Sequence, residues 1–265
     1  MNILDKIVVN RRRLIEKEKE SLSLEDLKEK VQQKLVSTSN FKKFIDLYEK
    51  DHPFLIAEVK KMSPSKGLIR KDFNLEQISK AYQQSSFVKA ISVLTEPDFF
   101  GGAYQNIEIV KRFTDKPILM KDFVVDEYQI YQGFLNGASA VLFIATLLDD
   151  QQVASLKKIT RVLKMEILFE VHSLEEYQRA IDLGMNIIGI NNRDLKSFKT
   201  NISTTLEIIK AKGKSSGTLL ISESGLNNKD DLKKLLEAKV DGFLIGESFM
   251  KEGNVFLAIE NLLGA

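Results

Sequence analysis

Phe54-Leu55-Ile56-Ala57-Glu58-Val59-Lys60 decides the architecture. Its first four residues are apolar at every position, not at every second one. Side chains alternate faces along a strand, so such a strand is buried on both sides, as in a parallel sheet covered by helices. Just upstream, His52-Pro53 closes the preceding stretch, because proline disfavours helix in the residue before it. Seven more short apolar runs follow at 88–94, 117–120, 140–144, 166–171, 186–190, 218–221 and 242–245, spaced 20 to 35 residues apart. Segments of helical periodicity separate them, at 75–84, 107–113, 127–135, 152–163, 174–183, 204–210 and 229–237, and 249–263 follows the last run. Eight β–α units in roughly 210 residues predict an α/β fold, a single (β/α)8 TIM barrel. The alternative is an open doubly wound sheet. That fold often carries a glycine-rich first turn, and no G-x-G-x-x-G follows any run here.

Upstream of the barrel, Leu24, Leu27, Val31 and Leu35 recur at helical spacing, as do Phe41, Phe44, Ile45 and Tyr48. Residues 1–50 are therefore expected to form a helical extension packed on a barrel of residues 51–265. Three arginines, Arg11, Arg12 and Arg13, stand among Glu16, Glu18 and Glu20 and read as a solvated helix face.

Composition narrows the function. The chain has 265 residues, 43% hydrophobic and 29% charged, the balance of a soluble globular protein. Thirty-nine basic against 37 acidic residues leave +2, which gives no support to nucleic-acid binding. The absence of cysteine excludes disulfides, thiolate metal sites and thiol catalysis, and two histidines cannot furnish a His-rich metal site. Asp5, Lys6 and the arginines interrupt the N-terminus before a signal-peptide core could form, and no apolar run approaches the ~20 residues of a membrane span. A cytoplasmic protein is expected, with no membrane or nucleic-acid partner and no room for a second barrel.

Barrel chemistry gathers where strands end. Glu58 and Lys60 follow the first run, then Ser63-Pro64-Ser65-Lys66-Gly67. Later ends carry Thr95-Glu96, Lys121-Asp122, Glu170 with His172, Asn191-Asn192-Arg193-Asp194, Ser222-Glu223-Ser224-Gly225 and Gly246-Glu247. Ile56, Glu58 and Lys60 share one face, with two residues spanning roughly 6.5 Å. An acid and an amine thus stand side by side at the mouth, with Lys121, Glu170 and Glu223 arriving from other strands. Any one of these charges could be a structural ion pair capping the barrel. Five at the same end of the barrel, from four strands, favour a functional site over structural pairs.

Ser224-Gly225 and Gly246-Glu247 follow the seventh and eighth runs, where barrels often bind phosphate. Glycine lets backbone N–H groups approach an anion, although ordinary strand-to-helix turns favour glycine too. His172 has no metal-ligand company in Val171 or Ser173 and reads as a residue at the mouth. His52 reads as a surface residue, Gly101-Gly102 as a loop turn, and Ser63 and Ser65 lack a Ser-His-Asp arrangement.

Taken together, these strand ends resemble the indole-3-glycerol phosphate synthase family, barrel enzymes of tryptophan biosynthesis. The resemblance lies in Ile56-Ala57-Glu58-Val59-Lys60-Lys61 with Ser63-Pro64-Ser65-Lys66-Gly67, in Ser92-Val93-Leu94-Thr95-Glu96 with Phe99-Phe100-Gly101-Gly102, and in Pro117-Ile118-Leu119-Met120-Lys121-Asp122-Phe123. It continues through Glu170-Val171-His172, Ile188-Gly189-Ile190-Asn191-Asn192-Arg193-Asp194-Leu195, Ser222-Glu223-Ser224-Gly225 and Ile245-Gly246-Glu247. The resemblance implies a phosphorylated small-molecule substrate, 1-(2-carboxyphenylamino)-1-deoxyribulose 5-phosphate, and no metal or organic cofactor. It implies Lys121 as general acid, Glu170 as its proton-transfer partner, and Glu58 and Lys60 in the same cluster. Asn191 and Glu223 would hold the ribulose hydroxyls and the lysines. Ser63 and Arg193 would lie near the anthranilate carboxylate, and Phe100, Phe123 and Leu195 would wall the aromatic ring. Ser224, Gly225, Gly246 and Glu247 would form the phosphate site. Two departures stand out. No tryptophan is available to cover the ring, and Glu247 puts a carboxylate beside the phosphate, tolerable only if its side chain turns away. A monomer is expected. The rivals are another phosphate-binding barrel, such as a sugar-phosphate isomerase or Schiff-base aldolase, and a catalytically dead binding barrel.

Overall fold

The computed structural model describes residues 2–37, 43–49, 52–194 and 199–264. Eight parallel strands close into a barrel: β1 (Phe54–Val59), β2 (Val88–Leu94), β3 (Ile118–Lys121), β4 (Ala140–Ile144), β5 (Glu166–Val171), β6 (Ile187–Asn191), β7 (Leu219–Glu223) and β8 (Gly242–Ile245). Each pairs with its sequence neighbour, and β1 meets β8 with Phe54 opposite Gly242. The predicted (β/α)8 barrel is the observed fold.

Alternation explains the uniformly apolar runs. Phe54 and Ile56 pack inside the barrel with Ala90, Leu119, Leu142, Leu168, Ile221 and Leu244. Their neighbours Leu55, Ala57 and Val59 face outward into a second cluster with the surrounding helices. Both faces are buried, as the parallel reading requires.

The described N-terminal segments include two helices, α1 (Ile3–Ser21) and α2 (Leu24–Ser37). Asn2 and Asp5 close a capping box at the start of α1, satisfying N–H groups that have no partner within the helix. The helical spacing read at 41–48 does not produce an α-helix among the described residues. Phe44 instead precedes a single 3-10 turn, Ile45–Leu47, and Phe41 lies outside them. The Phe44 ring packs on Phe54, 5.9 Å between centroids, at the N-terminal end of the barrel. Its backbone N–H donates to Glu166. Tertiary packing beneath the barrel has overridden the local period.

The remaining helices are α3 (Leu75–Gln84), α4 (Gln105–Lys111), α5 (Glu127–Asn136), α6 (Asp150–Val162), α7 (Leu174–Asp182), α8 (Ser203–Lys212), α9 (Lys229–Glu237) and α10 (Val255–Leu263). One-turn helices at Pro97–Phe100 and Glu247–Met250 sit in the loops after β2 and β8. Among the described residues no helix is long and apolar enough to cross a membrane.

Candidate active site

Strand ends assemble the site. Lys121 leaves β3 with its ammonium 2.7 Å from Glu170 Oε2 on β5 and 3.3 Å from Glu223 Oε2 on β7. Glu58 on β1 pairs with Lys60, which strand alternation brings to the same side. Asn191, at the end of β6, donates to Glu170 Oε1 at 3.1 Å and accepts the Arg193 backbone N–H at 3.0 Å. These six side chains line one cavity of about 650 Å³. Ser63, Phe100, Phe123, Arg193, Ser224, Gly225, Gly246 and Glu247 line it too, whereas Leu195 lies outside the described residues. Phe100 and Phe123 stand 5.8 Å apart, ring centroid to centroid. Where tryptophan is lacking, Ile3, Leu4 and Ile7 of α1 supply an aliphatic wall. Among the described residues no group of three or more His, Asp or Glu side chains is arranged to hold a metal ion.

Burial separates the proton affinities of the two carboxylates on Lys121. Burial pushes Glu223 up to about 7, with Glu170 and Glu58 adding to the rise and Lys121 opposing it. Burial acts the same way on Glu170, but Lys121 and His172 outweigh it and hold Glu170 well below the usual carboxylate range. Burial also disfavours the Lys121 ammonium, yet Glu170, Glu223 and Glu58 keep it protonated far above neutral pH. The cluster therefore sets a protonated donor beside an ionised acceptor, with a third carboxylate raised toward neutrality. Carboxylates pushed apart in this way can divide acid and base duties.

Gly189 on β6 makes room for Glu223. A Cβ built there would lie 2.0 Å from Glu223 Oε1, an atom that is buried without a hydrogen-bond partner. Gly189→Ala must therefore displace the Glu223 carboxylate that Lys121 contacts at 3.3 Å. We expect kcat to fall at least ~10-fold, because small misplacements at a reacting centre are costly. Steady-state kinetics beside a melting curve checks this, and unchanged kcat would contradict it.

The other end of the cavity is rich in backbone. Ser224 and Gly225 follow β7 with φ of 67° and 75°, both left-handed. Buried Asn192 holds this turn from behind, donating to Ser222 Oγ at 2.9 Å and to the Ser224 carbonyl at 3.1 Å while accepting from Thr205 Oγ1. Across the cavity, Glu247 turns its carboxylate onto Lys251 (2.7 Å) and Arg193 (3.4 Å). Glu247 begins a helical turn, whose first N–H groups have no partner within it.

Four residues near the site depart from the sequence reading or escape it. Arg11 is not on a solvated face. It is fully buried and grips Asp122 through Nε (3.1 Å) and Nη2 (3.0 Å), reaches Glu18 at 3.2 Å, and meets the Tyr104 hydroxyl. The signal was in the spacing, since Leu4, Ile7, Arg11 and Ile15 share the inward stripe of α1. Arg12 and Arg13 are exposed, as expected. Asp122, next to Lys121, also accepts from Thr95 Oγ1 at 2.6 Å. Glu96 is not at the chemistry: its carboxylate caps the Pro97–Phe100 turn through three backbone N–H groups. His172 lies against Glu170 itself, with Nε2 3.3 Å from Oε1.

The sequence matches the family described as Indole-3-glycerol phosphate synthase over residues 4–262. It is 44% identical over 265 residues to the indole-3-glycerol phosphate synthase of Prochlorococcus marinus strain MIT 9301, covering 98% of this chain and 89% of that protein. It is 42% identical to the Clostridium acetobutylicum enzyme of the same name, covering 94% and 92%. Among solved structures, a 3-hexulose-6-phosphate synthase superposes with a TM-score of 0.62 at 14% identity, covering 79% of this chain and 97% of that one, a likeness of fold alone. The fold, the matched length and these identities together place the chain in the indole-3-glycerol phosphate synthase family.

Proposed function

We propose that this cavity converts 1-(2-carboxyphenylamino)-1-deoxyribulose 5-phosphate into indole-3-glycerol phosphate, carbon dioxide and water, the carboxy-lyase step of tryptophan biosynthesis. The observation that carries the reading is the Lys121 ammonium held between Glu170 and Glu223, two carboxylates of opposite proton affinity, in a cavity walled by aromatic and aliphatic side chains. The anthranilate ring packs between Phe100, Phe123 and α1. As its carboxyl-bearing carbon attacks the ribulose carbonyl, Lys121 protonates the oxygen that gains charge, a service worth ~10²–10⁴-fold. Loss of carbon dioxide restores aromaticity. Departure of the hydroxyl as water then needs a second proton, from Lys60 or Lys121, while Glu170 takes the proton released from the forming ring. Glu58 holds Lys60, Asn191 holds Glu170, and Ser63 and Arg193 face the substrate carboxylate.

The Ser224-Gly225 turn and the Gly246-Glu247 turn take the phosphate, so binding energy far from the reacting atoms orients them. With Glu247 drawn onto Lys251 and Arg193, its carboxylate does not oppose the anion. The reading takes the protein as a cytoplasmic monomer in which residues 1–50 serve as an extension of the barrel at 51–265.

Turnover followed by the fluorescence of the indole product tests the reading. Glu170→Gln keeps the shape and removes the ionisable group. Its kcat is expected to fall roughly 10–100-fold with KM nearly unchanged, the mark of an interaction used in the transition state. A rise in KM alone would make Glu170 a binding residue and overturn its role.

A further inference from the structure

We propose that His172 is a positioning residue for Glu170: a cationic clamp that fixes one carboxylate oxygen from behind while the other serves Lys121. The proposal rests on the reading of Glu170 as the base. His172 follows β5, and its ring stands between two carboxylates. Nε2 is 3.3 Å from Glu170 Oε1 and Nδ1 is 3.5 Å from Glu176 Oε2. Glu176, in the first turn of α7, is itself fastened: Oε2 accepts the His172 backbone N–H at 2.7 Å, and Oε1 accepts Thr146 Oγ1 at 2.8 Å.

An ionised carboxylate only accepts hydrogen bonds, and a neutral imidazole can donate from only one nitrogen. A ring flanked by two carboxylates therefore satisfies both only as the doubly protonated cation. Both ring nitrogens are buried and meet the two carboxylates as ion-pair contacts rather than aligned hydrogen bonds. The surrounding charges agree. Burial opposes the imidazolium, but Glu170 and Glu176 together raise its pKa to about 9.

Without this cation the balance on Glu170 changes. Lys121 from β3 and Asn191 from β6 hold Glu170 directly. Glu223 from β7 and Glu58 from β1 share the Lys121 cation with it, so they compete for the same charge. His172 is the cation that reaches Glu170 from outside this group, on the oxygen that Lys121 does not hold.

The test is a pair of pH profiles of kcat. His172→Gln keeps a donor and removes the charge, so the proton affinity of Glu170 rises and the acid limb should move to higher pH. We expect kcat near neutrality to fall about 10-fold with KM within a factor of two. Glu176→Gln keeps the histidine but weakens its hold on the proton. The alkaline limb, expected near pH 9 in the unmodified protein, should move down toward neutrality. A purely structural histidine would lower the melting temperature and leave both limbs in place. If His172→Gln does not fold, the Glu176→Gln limb decides, its shift supporting the clamp and its constancy overturning it. Unchanged limbs in both variants overturn the clamp even if Glu170→Gln is inactive. An active Glu170→Gln overturns instead the role of Glu170 on which the clamp depends.

Discussion

Lys121→Met is expected to lower kcat by ~10²-fold or more while leaving the barrel folded and substrate binding largely intact. Methionine keeps the length and apolar stem of lysine, so packing at the end of β3 is preserved. The ammonium is lost, and with it the proton for the carbonyl oxygen during ring closure. Glu170 and Glu223 then face each other without their shared cation, and each holds a proton more tightly. Glu170 loses the partner at 2.7 Å that, with His172, keeps it ionised. Donor and base thus fail together, and a second substitution at Glu170 should cost little more, as expected for residues that act as a unit. Single-turnover fluorescence beside circular dichroism measures both aspects, and near-normal turnover in a folded variant would end the assignment.

Removing the phosphate should have a comparable effect on binding. Hydrogen bonds to a charged group contribute roughly 1.5–3 kcal/mol each, so losing one or two predicts ~10–1,000-fold weaker binding. The direct measurement compares indole-3-glycerol phosphate with its dephosphorylated form on the unmodified protein. A variant at Gly246 is a poor probe, because a Cβ there would lie 2.7 Å from Glu58 Oε1 and disturb the proton-transfer cluster as well. Ser248→Asp leaves that cluster alone, since Ser248 lines the cavity one residue beyond Glu247 and its hydroxyl donates to the Leu226 carbonyl and Asn227 Oδ1. It should weaken the phosphorylated product and spare the dephosphorylated one. Equal affinity for the two products in the unmodified protein would show that the phosphate is not held, and unchanged binding of the phosphorylated product to Ser248→Asp would move it elsewhere in the cavity.

The barrel was legible because both faces of every strand are buried. Eight short, mostly apolar runs stand out from the charged segments between them, and the charge at the C-terminal end of a run lies at the mouth. Lys121, Glu170 and Glu223 could be grouped on that logic, although their distances could not. What escaped depends on contacts between distant parts of the chain. Arg11 sits among charged neighbours, and nothing local announces a carboxylate at position 122. The Phe44 period suggested a helix because the ring's true partner, Phe54, lies beneath the barrel. Glu96 and Glu170 both end a strand, yet one caps a helical turn and the other sits on an ammonium. Backbone direction after the strand, not residue type, separates them. Asn192 was visible only as a neighbour of Asn191, although alternation points it to the opposite side, behind the Ser224 turn.

Arg11 and Asp122 are separated by 111 residues in the chain. At ~5–20 residues per second, a ribosome delivers the carboxylate roughly 5–20 s after the guanidinium. Until then α1 has only α2 to pack on, through Ile15 and Leu27, and Leu4 and Ile7 at the other end of its inward stripe lack the barrel mouth they line in the finished fold. A charge in the middle of the stripe keeps it soluble and unattractive to other apolar surfaces, the task of a gatekeeper residue. Once β3 is in place the same charge is neutralised and buried. The same guanidinium thus suits two surroundings, water before β3 is made and a paired, buried place afterwards.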